Sequence, residues 1–141
     1  MSSATPKVVA FGGGHGLAAT LTALRDVTPT ITAVVTVADN GGSSGKIREE
    51  FNFLPPGDMR MALAALCGSD AWGQSWAQII QHRFNTSGDL NGHALGNLLM
   101  AALWDSSDDL VAGIDRVGDL LKIVGRVLPM SLQPLEIEGV F

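Results

Sequence analysis

The apolar positions at the start of the chain fall into two short runs separated by a helical repeat. Lys7 to Phe11 (KVVAF) reads as a strand stopped by Gly12-Gly13-Gly14, and Leu17, Leu21 and Leu24 recur behind it at helical spacing. Ile31 to Val37 (ITAVVTV) reads as a second strand, apolar enough to be covered on both faces, as strands of a parallel sheet are. The helix between the two runs fits a right-handed β-α-β crossover. The class predicted is therefore α/β, with a parallel sheet flanked by helices.

Ala38 to Gly57 breaks this pattern. It carries Gly41-Gly42-Ser43-Ser44-Gly45 and Pro55-Pro56-Gly57 and reads as a long irregular connection, which in a compact domain is usually functional or disordered. Helical spacing then returns. Asp58 is placed to N-cap a helix over Met59 to Cys67, and Trp72, Trp76, Ile79, Ile80 and Phe84 make one apolar face of the next. Gly92 to Trp104 reads as a turn running into a third helix, and Leu110, Ile114, Val117 and Leu121 mark a fourth. Lys122 to Leu128 returns to strand, closed by Pro129, and Leu135 to Phe141 alternates like a last strand. An ordered domain seldom stops in mid-strand, so residues 1–141 read as one domain truncated at its C-terminal side. There is no internal repeat and no linker.

Composition narrows the chemistry. A hydrophobic fraction of 46% with 16% charged residues suits a packed core rather than a disordered chain. A net charge of -5 argues against a nucleic-acid backbone or an anionic membrane as partner. The opening MSSATPKVVAFGGG lacks the pattern of a secretory signal, and no apolar run is long enough for a membrane span. With Cys67 alone there is no intrachain disulfide, and a cytoplasmic protein is expected. Glycine is in excess, 17 of 141 residues, where average usage is about 7%. Seven of those glycines lie in two clusters, Gly12 to Gly16 and Gly41 to Gly45.

Each cluster has the composition of a phosphate-holding loop. Gly12-Gly13-Gly14-His15-Gly16 would bring backbone N–H groups and the positive end of a helix to one point. A tight turn alone needs one left-handed glycine, and this cluster has more. The NAD fingerprint G-x-G-x-x-G fails at Leu17, although Asp39 closes the second strand where such a fold holds a ribose. The second cluster, with Lys46 and Arg48 just beyond it, resembles a P-loop, but its glycines are too closely spaced and Ile47 follows the lysine, which argues against Walker-type ATP hydrolysis. Asp39 and Asp58 are two carboxylates at element ends, a number that suits Mg²⁺ shared with ligand phosphates; Asp58 reads equally well as a helix cap. His93, between Gly92 and Gly96-Asn97, is either a second anion contact at a helix start or part of a capped turn. His82 and Arg83 sit where cations complement a helix C-terminus. Asp105, Asp108, Asp109, Asp115 and Asp119 read as a solvated helical face.

The order of these pieces resembles a known family. Gly12-Gly13-Gly14-His15-Gly16-Leu17, TVADNGGSSGKIRE (Thr36 to Glu49), LPPGDMR (Leu54 to Arg60), HRF (His82 to Phe84), GHALGNLL (Gly92 to Leu99) and GRVLP (Gly125 to Pro129) are similar to the YvcK-type gluconeogenesis factors, themselves related to the CofD-type 2-phospho-L-lactate transferases. The resemblance runs from Lys7 to about Pro134. It implies a Rossmann-like α/β core, longer in the family than here. It further implies a cytoplasmic protein that binds the nucleotide sugar UDP-N-acetylglucosamine, is linked to carbon metabolism, cell-wall synthesis and regulation of cell shape, and belongs to a family whose members can form homo-oligomers.

Carried onto this chain by those motifs, the ligand-binding set is Gly12, Gly13, Gly14, His15, Gly16, Asp39, Asn40, Gly41, Gly42, Ser43, Ser44, Gly57, Asp58, Arg60, His93 and Asn97. Mg²⁺, where the transferase relatives hold it, would fall on Asp39 and Asp58. One departure bears on the metal: the family usually has two aspartates where this chain has Asp39-Asn40, and Asn40 drops a charge while keeping an acceptor oxygen. Three functions follow from the residues and the resemblance. The first is a regulatory nucleotide-sugar-binding protein. The second is a Mg²⁺-dependent, 2-phospho-L-lactate-transferase-like enzyme, and the third an NAD-binding oxidoreductase.

Overall fold

A computed structural model describes residues 4–140. Three strands, β1 (Val8–Gly12), β2 (Ile31–Val35) and β3 (Arg126–Pro129), form one parallel sheet in the order β1-β2-β3. The register pairs Ala10 with Ala33 and Ala33 with Val127. Six helices accompany them among the described residues: α1 (Gly14–Leu24), α2 (Gly42–Phe51), α3 (Gly57–Leu66), α4 (Ala71–Gln81), α5 (Leu95–Ser106) and α6 (Leu110–Leu121). No helix among the described residues is long and apolar enough to cross a membrane.

Among the described residues one face of the sheet is covered by helices, where both faces of β2 are expected to be. Ile31, Ala33 and Val35 of β2 and Val127 of β3 are buried in one core with Leu17 and Leu21 of α1, Leu63 of α3 and Val117 and Leu121 of α6. On the opposite face Val9 is 57% and Phe11 69% exposed. The strand order gives the reason. When successive strands add in one direction through right-handed crossovers, every crossover lands on the same side, and only a reversal of strand order moves helices to the other.

Other expectations need correction. The segment from Ala38 to Gly57 is not irregular throughout, because the 10 residues of α2 occupy half of it. Glycine and serine at its start are poor helix formers. Tertiary contact compensates: Ile47, Ser43 and Ser44 are buried, and Asn52 ends the helix at φ 55°. Phe84 is not on the Trp-rich helix, since His82 is already extended and residue 83 bridges to Ala94. Only Ile80 of the expected apolar face is fully buried, while Trp72 donates to the Leu120 carbonyl at 3.1 Å and lies under the Lys122 ammonium. Lys122 caps α6 in the left-handed region, so β3 starts later than expected, at Arg126, and includes Pro129. Two of the supposedly solvated acids have structural work: Asp109 caps α6, and Asp115 receives a two-pronged hydrogen bond from Arg126. The expected strand over Leu135 to Phe141 is absent through residue 140, with one backbone bond, Leu135 N–H to the Val37 carbonyl at 3.3 Å. Phe141 lies outside the described residues.

Gly125 shows how tightly β3 is delivered to the sheet. Its φ is 87°, and a Cβ there would overlap the Ile31 carbonyl oxygen. Gly125→Ala is expected to lose at least ~2 kcal/mol of stability, from left-handed strain and overpacking together. Gly88→Ala, which meets open space, should stay within about 0.5 kcal/mol of the parent. Urea midpoints of the two variants check this, and equal values would remove the close approach as a constraint.

Candidate functional site

Four helices begin around the C-terminal ends of β1 and β2, and contacts chain them together. β1 ends at Gly12, whose carbonyl accepts from Thr36 N–H at 2.9 Å, carrying the β1–β2 ladder one residue beyond the strand. Gly13 then leads into α1. Thr36 Oγ1 donates to Asp58 Oδ2 at 2.8 Å, which brings the first turn of α3 to the β1 exit. Asp58 is thus no N-cap: that position is Pro56, and the carboxylate is spent on a hydroxyl from β2's exit. Ser44 Oγ accepts from Gly57 N–H at 2.8 Å and joins α2 to α3. Ser43 Oγ lies 2.8 Å from His93 Nδ1 and accepts from Asn97 Nδ2 at 3.1 Å, joining α2 to the start of α5.

These four starts share a property that the other two helices lack. The N-cap residues of α1, α2, α3 and α5 are Gly13, Gly41, Pro56 and Ala94, and none supplies a side-chain cap. In α4 and α6, Asp70 and Asp109 accept from Gly73 N–H and Ala112 N–H, each at 2.9 Å. An uncapped helix start leaves N–H groups and a partial positive charge available to an anion. Two of these starts are served from elsewhere, the α3 Gly57 N–H by Ser44 Oγ with Asp58 in the first turn, and the α5 Leu95 N–H by the His82 carbonyl at 2.9 Å, which leaves the starts of α1 and α2 as the open positive ends of the site.

Arg60 adds a full positive charge beneath them. It is 5% exposed, donates from Nε to Gln81 Oε1 at 2.6 Å and from Nη1 to Asn97 Oδ1 at 2.8 Å. Burial, followed by repulsion from Arg83, lowers its pKa to about 10, against an opposing pull from Asp58 and Asp39. No carboxylate forms a contact ion pair with it among the described residues. Burial keeps Arg60 and Asn97 behind the surface, so they hold the wall of the site.

The remaining residues of the expected set divide by exposure. His15 and Gly16 lie exposed at the start of α1, and the positions of side chains at Gly14, Gly16 and Gly42 would meet open space. Gly13 differs: a Cβ there would overlap Thr36 Oγ1 and Asp58 Oδ2, so protein fills the space that a ligand was expected to need. Asp39 is exposed and accepts from Gly41 N–H through Oδ1 at 2.9 Å, while its Oδ2 faces Gly57. Asn40 is exposed, and its carbonyl occupies the space beside Gly45. Thr36 and Gln81 were missed. Thr36 stood inside the TVADNGG motif, but nothing in the local pattern of Gln81 pointed to a buried guanidinium.

For Mg²⁺, the donor set is small. Asp39 has Oδ2 and Asp58 has Oδ1 left after the bonds above, and no trio of His, Cys, Asp or Glu among the described residues could hold a metal. Two carboxylate oxygens suit Mg²⁺ only with phosphate oxygens and water completing its shell.

The family profile described as 2-phospho-L-lactate transferase CofD matches residues 8–141. A Mycobacterium leprae protein, provisionally named a gluconeogenesis factor, is 56% identical over 134 residues, which cover 95% of this chain and 37% of the relative. The gluconeogenesis factor of Listeria innocua is 47% identical over 130 residues, covering 92% and 39%. The crystal structure of protein BH3568 from Bacillus halodurans superposes with a TM-score of 0.85 at 42% identity, over 93% of this chain and 41% of that one. The chain thus spans about two fifths of the length of these relatives, 37% and 39% for the two named.

Gly13→Ala is expected to lower the urea midpoint of the ligand-free protein by the equivalent of about 1–3 kcal/mol, because Thr36 and Asp58 must give way. Gly16→Ala, exposed on α1, should gain up to about 1 kcal/mol from helix propensity. Equal midpoints would return Gly13 to the role of a ligand-facing residue.

Proposed function

Because the chain belongs to the CofD family, we propose that it contributes the phosphate-binding half of a cytoplasmic nucleotide-sugar site, in the manner of the gluconeogenesis factors it resembles. The observation that carries this reading is the pair of open helix starts, α1 and α2, at one end of the sheet, with neither a capping side chain nor an acid in the first turn, while α4 and α6 are capped by aspartates. A diphosphate supplies the acceptor oxygens and negative charge that the starts of α1 and α2 lack, each helix end being worth about 0.3–1 kcal/mol to an anion. In an open parallel sheet, ligands sit outside the carboxyl ends of the strands, which is where these helices begin.

The roles then follow from position. The N-termini of α1 and α2 hold the diphosphate, with His15 at the rim. Asp39, exposed beyond the end of β2 and oriented by Gly41 N–H, accepts from a ribose hydroxyl. UDP-N-acetylglucosamine is the nucleotide sugar proposed, and the biological role is in carbon metabolism, cell-wall synthesis and the regulation of cell shape. Leu17 is buried where a dinucleotide fingerprint would place its third glycine, which counts against an NAD enzyme.

A second reading is favoured by the free oxygens of Asp39 and Asp58. In a 2-phospho-L-lactate-transferase-like enzyme, those two residues would hold Mg²⁺, which neutralises charge on a transferred phosphoryl-containing group. Asn40, in place of a second aspartate, removes one charge from that set.

The two readings separate in thermal unfolding of the chain with UDP-N-acetylglucosamine or GDP, each with and without Mg²⁺. The binding reading expects UDP-N-acetylglucosamine to stabilise without Mg²⁺, by ~2.7 kcal/mol at a hundredfold excess over Kd. Asp39→Ala should weaken that binding about tenfold, or 1.4 kcal/mol, while Asp119→Ala on the exposed side of α6 leaves it unchanged. Stabilisation by GDP only with Mg²⁺, and none by the UDP-sugar, would replace the binding reading with the transferase one.

A further inference from the structure

Behind the site, four residues form a hydrogen-bond chain whose direction is set by its first member. Arg60 Nη1 meets Asn97 Oδ1 at 2.8 Å, Asn97 Nδ2 meets Ser43 Oγ at 3.1 Å, and Ser43 Oγ meets His93 Nδ1 at 2.8 Å. A guanidinium only donates, so the Asn97 atom facing it is the carbonyl oxygen, and the atom facing Ser43 is the amide nitrogen. The Ser43 oxygen therefore accepts from Asn97. Its own hydrogen needs an acceptor, and Ser43 and Asn97 are 5% and 1% exposed, which leaves little room for water to serve. A buried hydroxyl hydrogen without an acceptor is costly, and among the described residues His93 Nδ1 is the partner within reach.

We infer that neutral His93 is held as its Nε2–H tautomer by the Arg60–Asn97–Ser43 relay and presents a hydrogen-bond donor, not a base. Nδ1 is occupied as an acceptor, and a protonated Nε2 has no lone pair for a metal or for proton abstraction. What His93 can take is an oxygen acceptor such as a phosphate oxygen. It is half-buried and borders a cleft of about 790 Å³ formed with α2 and residues 88–91, whose charged lining is Lys46 together with Glu49, Glu50 and Asp89. Arg60, Asn97 and Ser43 are then positioning residues, fixing a donor they do not themselves present. The tautomer stands on the relay alone, whereas the anion as its partner rests on the binding reading above.

Long-range ¹H–¹⁵N NMR of the histidine rings in the labelled chain, at mildly alkaline pH, tests both parts. There are three histidines, and His93→Gln assigns the resonance. His93 is expected as a single tautomer with pyrrole-type Nε2 and pyridine-type Nδ1, while exposed His15 shows the intrinsic mixture. Asn97→Asp supplies the sharper arm. The new carboxylate can only accept, so the Ser43 hydroxyl turns to it, Oγ accepts from His93, and His93 flips to the Nδ1–H form, with His15 and His82 unchanged. Ser43→Ala should return His93 to the mixture seen for His15. A His93 that resembles His15 in the parent chain, or an Asn97→Asp variant that folds without a flip, overturns the relay. Titration with inorganic pyrophosphate reads the second part: a shift of the His93 Nε2 resonance is expected. Its absence with the tautomer intact would overturn the anion partner and leave the relay standing.

Discussion

Arg60 carries its charge largely out of water's reach, 5% exposed and without a contacting carboxylate among the described residues, and the packing of four helices follows from how that charge is accommodated. A buried cation must be surrounded by oriented acceptors or lose its proton. Here the acceptors are two neutral amides, Gln81 at the end of α4 and Asn97 in the first turn of α5. Because the amide of Asn97 is polarised on one side by the guanidinium, its other side is committed to Ser43, and α2 is drawn onto α5. The lowered pKa of Arg60, due first to burial, is the cost of this arrangement. Asp58 and Asp39 offset part of it from a distance.

The same arrangement explains why α2 exists. Its opening Gly42-Ser43-Ser44-Gly45 has little intrinsic helix preference, and isolated helices of this length are marginal in water. Ser43 and Ser44 instead act as short tethers, one to α5 and one to the first N–H of α3, and Ile47 buries an apolar side chain one turn later. Larger side chains at those positions would push the helix starts apart. The serines therefore act in two ways: they hold the starts of α2, α3 and α5 together, and Ser43 orients His93.

Where residues act through near neighbours, the chain was legible. The first two strands, α1, α5 and α6 follow from β-branched runs and apolar spacing, and the first glycine cluster opens a helix at the exit of β1 as its composition predicts. The motif order identified the family, which the matching profile and relatives bear out. Errors came where a residue's partner is remote. Asp58 has the local look of a cap, but Thr36, just beyond the end of β2, takes its oxygen. Gly13 had the look of a ligand contact, but Thr36 and Asp58 fill its space. The helical character of Gly42–Phe51 was hidden because its stability comes from α3 and α5, not from its own composition. Gln81 was invisible because a glutamine at a helix end has no pattern that announces a guanidinium.

By itself the sequence determined which segments bury apolar surface, where glycine permits close turns, and which loops carry groups able to hold an anion. Those are properties of periodicity and side-chain chemistry, readable one window at a time. Tertiary structure alone decided that, among the described residues, the sheet-contacting helices share one face, since that depends on the order in which strands add. It alone decided which helix starts remain uncapped toward a common point, and in which direction hydrogen bonds run from Arg60 to His93. A hydroxyl or an amide can point either way until a neighbour that can only donate fixes it, and that neighbour comes from another part of the chain.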